Sequence, residues 1–133
     1  ASASAGPGRD FTVHARNSSD MTIDNGAKGF STGDVDVSSA SLTRAGKRVG
    51  WLAGTCTTTR VGKSSADQFC QFVLHLGRSQ LVAEGATRSG QQGPGTFALA
   101  ITGGTGRYQQ ARGQVLVTAT NGRSLPLRVE LRG

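Results

Sequence analysis

"AITGGTGRYQQARGQV", residues 100–115, is the stretch whose reading decides the fold. Clustered glycines, a threonine and basic residues give it the composition of a phosphate-binding loop. Its spacing says otherwise. A P-loop requires G-x-x-x-x-G-K followed by Ser or Thr, so that backbone N–H groups curl around phosphates, and this stretch has neither the lysine nor the spacing. A second candidate, "VGKSS" at 61–65, would need its first glycine at Thr57. A dinucleotide fingerprint counted from Gly104 and Gly106 would place its third glycine at Gln109, with no helical pattern after it. The remaining reading is a tight β connection. "AIT" ends one strand, Gly103, Gly104 and Gly106 permit positive φ, and "RYQQARG" leads into the next strand.

The rest of the chain reads the same way. Apolar residues do not recur at helical spacing over a useful length. Short alternating stretches occur at 11–16, 33–43, 49–59, 68–76, 79–85, 96–102, 113–120 and 125–131, separated by Gly, Asn, Ser and Asp. Residues 86–95 read as a flexible loop. Eight strands in 133 residues predict an all-β fold closed into one antiparallel up-and-down barrel, because closure removes sheet edges. The expected layout is a disordered tail over 1–8 and one barrel domain over 9–133.

Cys56 and Cys70 enclose thirteen residues with turn chemistry at Gly62 to Asp67. If the flanking segments form a hairpin, the two stand almost opposite, within disulfide reach. The alternative is two reduced, buried cysteines. A bridge, together with the small-residue start "ASASAGPG", predicts a secreted chain after signal removal. The apolar runs are too short for a spanning helix, and no membrane association is expected. The net charge is +7, with twelve arginines scattered from Arg9 to Arg132 and only seven aromatics. Such a surface reads as solvated, and nucleic acid is not an expected partner. Two histidines beside two paired cysteines do not make a zinc site. No metal and no cofactor are expected.

"AITGGTGRYQQARGQV" resembles the signature shared by allene oxide cyclases and dirigent proteins. "GDVDVSSASLTRAGKRVGWLAGTC" (33–56) and "FVLHLGRSQLVAEG" (72–85) are similar to further family segments in the same order. The resemblance covers residues 33–120. It implies an eight-stranded barrel, often a homotrimer, whose apolar cavity steers the cyclisation or isomerisation of a reactive, hydrophobic small molecule. It also implies an acid on the first strand, where this chain has Ala15, and a second near Thr87. Both are missing. The family's water-holding asparagine corresponds to Asn17. Asn17 and Glu84 are therefore the candidate catalytic residues, Glu84 either as a base at the cavity mouth or as an outward charge paired with arginine. Alternation suggests Val13, Ala15, Leu52, Phe72, Leu74 and Phe97 as cavity walls. Tyr108 is expected to plug one barrel end, and Trp51 to fill either a trimer contact or the cavity wall. Two other functions stay open: a non-catalytic carrier of a hydrophobic ligand, and an extracellular polyanion-binding protein.

Overall fold

The alternating stretches become eight strands in the computed structural model, which describes residues 9–90, 95–118 and 124–132. They are β1 (Phe11–Ile23), β2 (Val35–Arg44), β3 (Lys47–Val61), β4 (Ala66–Leu76), β5 (Ser79–Ser89), β6 (Thr96–Gly104), β7 (Arg112–Thr118) and β8 (Leu125–Arg132). Each is antiparallel to its neighbours. β1 also pairs with β8, Val13 opposite Leu127, so the sheet closes on itself. The tail expected over 1–8 lies outside the described residues.

Two strands outrun their expected limits furthest. β5 continues through Ser89, where a loop was expected, because Thr87 and Arg88 stay in register with Gln68 and Asp67 of β4. β1 continues to Ile23, with an irregularity between Arg16 and Ser19.

The glycine cluster turns a corner at one end of the barrel. Gly103 and Gly104 finish β6, and of the three glycines expected to use positive φ only Gly106 does so, at 59°. Gly104 is required for a different reason. A Cβ there would lie 2.5 Å from the Gln80 carbonyl oxygen and 2.6 Å from that of Tyr108. Thr105 ties the corner to β5, its N–H donating to the Gln80 carbonyl at 2.8 Å and its Oγ1 accepting from the Gln80 N–H at 3.0 Å. The adjoining 3-10 turn, Gly106–Tyr108, buries the Tyr108 ring, with the Arg107 guanidinium 5.3 Å from its centroid. Below this plug, Val13, Leu42, Leu81 and Val129 are fully buried and fill the barrel. Burial of each such side chain stabilises the fold by about 1.5–3 kcal/mol. This is the closed end.

Carboxylates hold the opposite end. Asp67 of β4 accepts from Arg88 of β5 at 2.6 Å and from Arg60 of β3 at 2.9 Å. Asp34, buried to 3 % exposure, accepts from the backbone N–H groups of Ser31 and Asn25 at 3.0 Å each and so organises the β1–β2 connection. Hydrogen bonds from Arg88 and Arg60 hold the Asp67 carboxyl well below the usual carboxylate range. The Ser31 and Asn25 N–H groups lower Asp34, and Gln114 and Arg128 lower Glu130. A carboxyl more acidic in the folded than in the unfolded chain adds stability above its unfolded pKa and loses it as pH falls through its folded one. Melting temperature is therefore expected to hold steady from neutral pH down to about pH 5 and then to fall below about pH 4. Asp67→Asn lowers the neutral plateau and makes the acid slope shallower, both read by thermal unfolding across pH.

Candidate functional site

Three alanines make the barrel hollow at mid-height. Inward positions near the closed end carry Leu, Ile and Val, but Ala15 of β1, Ala40 of β2 and Ala83 of β5 face inward one layer further up, all buried. With Gly54 of β3 among them, the interior is left unfilled. The result is a cavity of about 380 Å³, within the usual range for small-molecule sites. Phe72 lies opposite Gly54, across the place a Cβ at that position would occupy. Leu74, Leu99, Val115, Val117 and Leu127 complete the apolar wall.

The other wall is polar because β1 changes phase. Ala15 pairs with Leu42 and Arg16 with Ser41, but the next pair is Ser19 with Ser39. Asn17 and Ser18 thus both oppose Ala40, one residue more than a regular ladder holds. Such a bulge re-aims the side chains beyond it. Odd residues face inward before it and even residues after it. Ser18 and Asp20 therefore line the cavity, beside Ser38 and Ser39 of β2. Asp20 is the one charged residue on the wall. No hydrogen bond or ion pair engages its carboxylate among the described residues.

Mouthward of Asp20 the polar groups are already paired. Asp36 accepts from Thr22 Oγ1 at 2.5 Å and from Gln68 Nε2 at 3.1 Å. Cys56 and Cys70 stand directly opposite on β3 and β4, bridged by a disulfide with Cα atoms 4.0 Å apart. Their side chains alternate onto the inner face, and Cys70 is 2 % exposed.

Of the six residues expected to line the cavity, Ala15, Leu52, Phe72 and Leu74 do so. Val13 lies in the packed layer below, and Phe97 packs against the core beyond the cavity wall. Of the two readings of Glu84, the structure places it as the outward charge. Ala83 points inward, so Glu84 points outward, where it accepts from Gln71 Nε2 at 3.1 Å rather than from an arginine. The Asn17 side chain lies outside the described ones. Trp51 is on the outer surface, 44 % exposed, stacked on His75 at 5.0 Å. Sequence reasoning missed Asp20. The available signal was the polar run "RNSSD", which breaks the alternation of β1.

The described residues thus form a closed barrel with one sealed end and an apolar cavity bearing a single carboxylate, the shape of a calyx. The solved structures agree. A pyocyanin demethylase superposes with a TM-score of 0.82 at 29% identity, over 92% of this chain and 98% of that one. A nonspecific heme-binding cyclase that catalyses a 4+2 cycloaddition during neoabyssomicin biosynthesis gives 0.72 at 18%, over 94% of this chain and 65% of that one. A pterocarpan synthase dirigent protein gives 0.60 at 18%, over 92% of this chain and 83% of that one. No protein-family model matches the sequence, and no curated protein does either. The chain shares the fold of these barrels, which is the fold that its resemblance to allene oxide cyclases and dirigent proteins implies.

Proposed function

We propose that the protein binds a small, mainly apolar or aromatic molecule in this cavity and directs its cyclisation or isomerisation, with Asp20 as the group that exchanges a proton with it. The observation that carries the reading is the position of Asp20, a carboxylate unpaired among the described residues, on a wall that is otherwise apolar or hydroxylic. The walls hold the reactant in one folded shape, which lowers the entropic part of the barrier. The carboxylate can take up or return a proton, or stabilise positive charge as it develops. The similar structures named as a demethylase, a cycloaddition catalyst and a pterocarpan synthase support a small-molecule transformation.

The test is to incubate the pure protein with a spontaneously cyclising aromatic substrate and resolve the products by chiral chromatography. The wild type shifts the product ratio. Ala83→Phe, which fills the cavity from a fully buried wall position, returns it to the uncatalysed ratio. An unchanged ratio with the wild type counts against catalysis, and a ligand bound but recovered intact makes the protein a carrier.

Secretion belongs to the same proposal, because a bridge such as Cys56–Cys70 persists in oxidising compartments. So does a homotrimer. The outward residues of Val35–Thr43, Trp51–Thr59 and Phe69–His75 include no Asp, Glu, Lys or Arg, and His75 Nδ1 is buried there without a partner. Light scattering should give three times the chain mass, and Trp51→Lys should give monomers. A monomeric wild type sinks the trimer without touching the cavity.

A further inference from the structure

Seven of the twelve arginines that look scattered along the sequence collect at the closed end. The β2–β3 hairpin brings Arg44, Lys47 and Arg48 there, with Arg44 paired to Lys47. Arg78 sits in the β4–β5 turn, Arg107 and Arg112 in the β6–β7 connection, and Arg132 at the end of β8 beside the start of β1, where Arg9 lies. All eight are exposed. Every connection between strands at this end carries a cation. The nearby acids are Asp10 and Glu130, and both are engaged, Asp10 by Arg132 and Arg128, Glu130 by Arg128. Arg44 lies over Phe11 and Arg107 over Tyr108, each guanidinium near 5 Å from its ring. Lys47, Arg48, Arg78 and Arg112 have no ion pair among the described residues. The mouth end is mixed, holding Asp20, Asp24, Asp34, Asp36 and Asp67, five of the chain's eight acids, alongside Lys28, Arg60, Lys63 and Arg88.

We propose that the closed end is a docking surface for an anionic phospholipid membrane, which it meets face-on with the cavity mouth directed away. The cations form a ring on a blunt end rather than a track along a groove, so they match a plane of charge better than a thread. A nucleic acid strand would also call for exposed aromatic rings to stack its bases. At this end Tyr108 is buried and Phe11 lies under Arg44. Guanidinium groups pair with phosphate in a bidentate fashion. The exposed Met21, Ile23, Phe30, Val61 and Phe69 belong to the mouth half, and Trp51 lies on the side of the barrel, stacked on His75. Docking at the closed end is therefore electrostatic, through head groups without insertion, and weakens with salt.

The experiment is co-sedimentation with vesicles of phosphatidylglycerol and phosphatidylcholine in equal parts, against phosphatidylcholine alone. The wild type pellets with the anionic vesicles only, and rising salt releases it. Lys47→Ser, Arg48→Ser, Arg78→Ser and Arg112→Ser combined weaken binding several-hundredfold, at about fivefold per cation removed. Arg78→Ser alone gives the fivefold step if the combined variant does not fold. Lys28→Ser with Lys63→Ser, at the mouth end, leaves binding unchanged. Three results overturn the proposal: no binding of the wild type to anionic vesicles at low salt, an equal loss with the mouth variant, or capture by dextran sulfate or DNA while the vesicles are ignored.

Discussion

Asp20→Asn lowers turnover by about 10²–10⁴-fold, the usual contribution of a positioned general acid or base. The substitution keeps the size and shape of the side chain and removes only its ability to carry charge and exchange a proton. Because no protein group pairs with the carboxylate among the described residues, no fold-stabilising contact is lost, and stability should stay within about 0.5 kcal/mol of the wild type. The measurement is kcat/KM together with ligand affinity. Affinity for a neutral ligand holds while the rate falls. Glu84→Gln is the matched control. It removes a carboxylate that the sequence leaves open as a base at the mouth and that faces outward onto Gln71, so the rate is unchanged. A full rate in Asp20→Asn would remove the proton-transfer role, and a loss in Glu84→Gln would mean that the inward and outward faces of β5 are reversed.

Removing the bridge has the largest expected effect on stability. Cys56→Ala with Cys70→Ala opens a loop closed over a separation of 14 residues, which costs about 3 kcal/mol of chain-entropy constraint. For a domain of this size the melting temperature falls by roughly 10 °C. The Cys70 position, at 2 % exposure, adds a small loss of packing to that figure. Unfolding in the presence of a reductant should reproduce most of the drop in the wild type and none of it in the variant. Equal melting temperatures with and without reductant would show that β3 and β4 hold each other through their ladder alone.

The strands were legible because turn residues and alternation agree locally. "RAGKR" breaks the chain where Ala45 and Gly46 take φ of 52° and 80°, and Gly77 at 63° does the same before β5. The disulfide was legible for the same reason, since the hairpin centre fixes which residues face each other. The site was only partly legible. Ala15, Leu52, Phe72 and Leu74 follow from alternation within single strands, but Asp20 does not, because the bulge reverses the alternation and its position shows only in the pairing with β2. Glu84 was legible only as a choice between a mouth base and an outward charge, and its parity on β5 selects the outward one. The basic end was hidden most completely. Arg9, Arg48, Arg78, Arg112 and Arg132 are far apart in the chain and meet only through the up-and-down path of the strands.

The extra residue between Arg16 and Ser19 works as a reading frame for the barrel. Deleting Asn17 would return β1 to strict alternation and still leave Asp20 inside, because Ala15, Ser18 and Asp20 would then fall two apart on the inward face. A lineage of such barrels can thus gain or lose the extra residue through a one-codon insertion or deletion while keeping its internal acid, and related chains aligned without that gap will show their acids at mismatched columns.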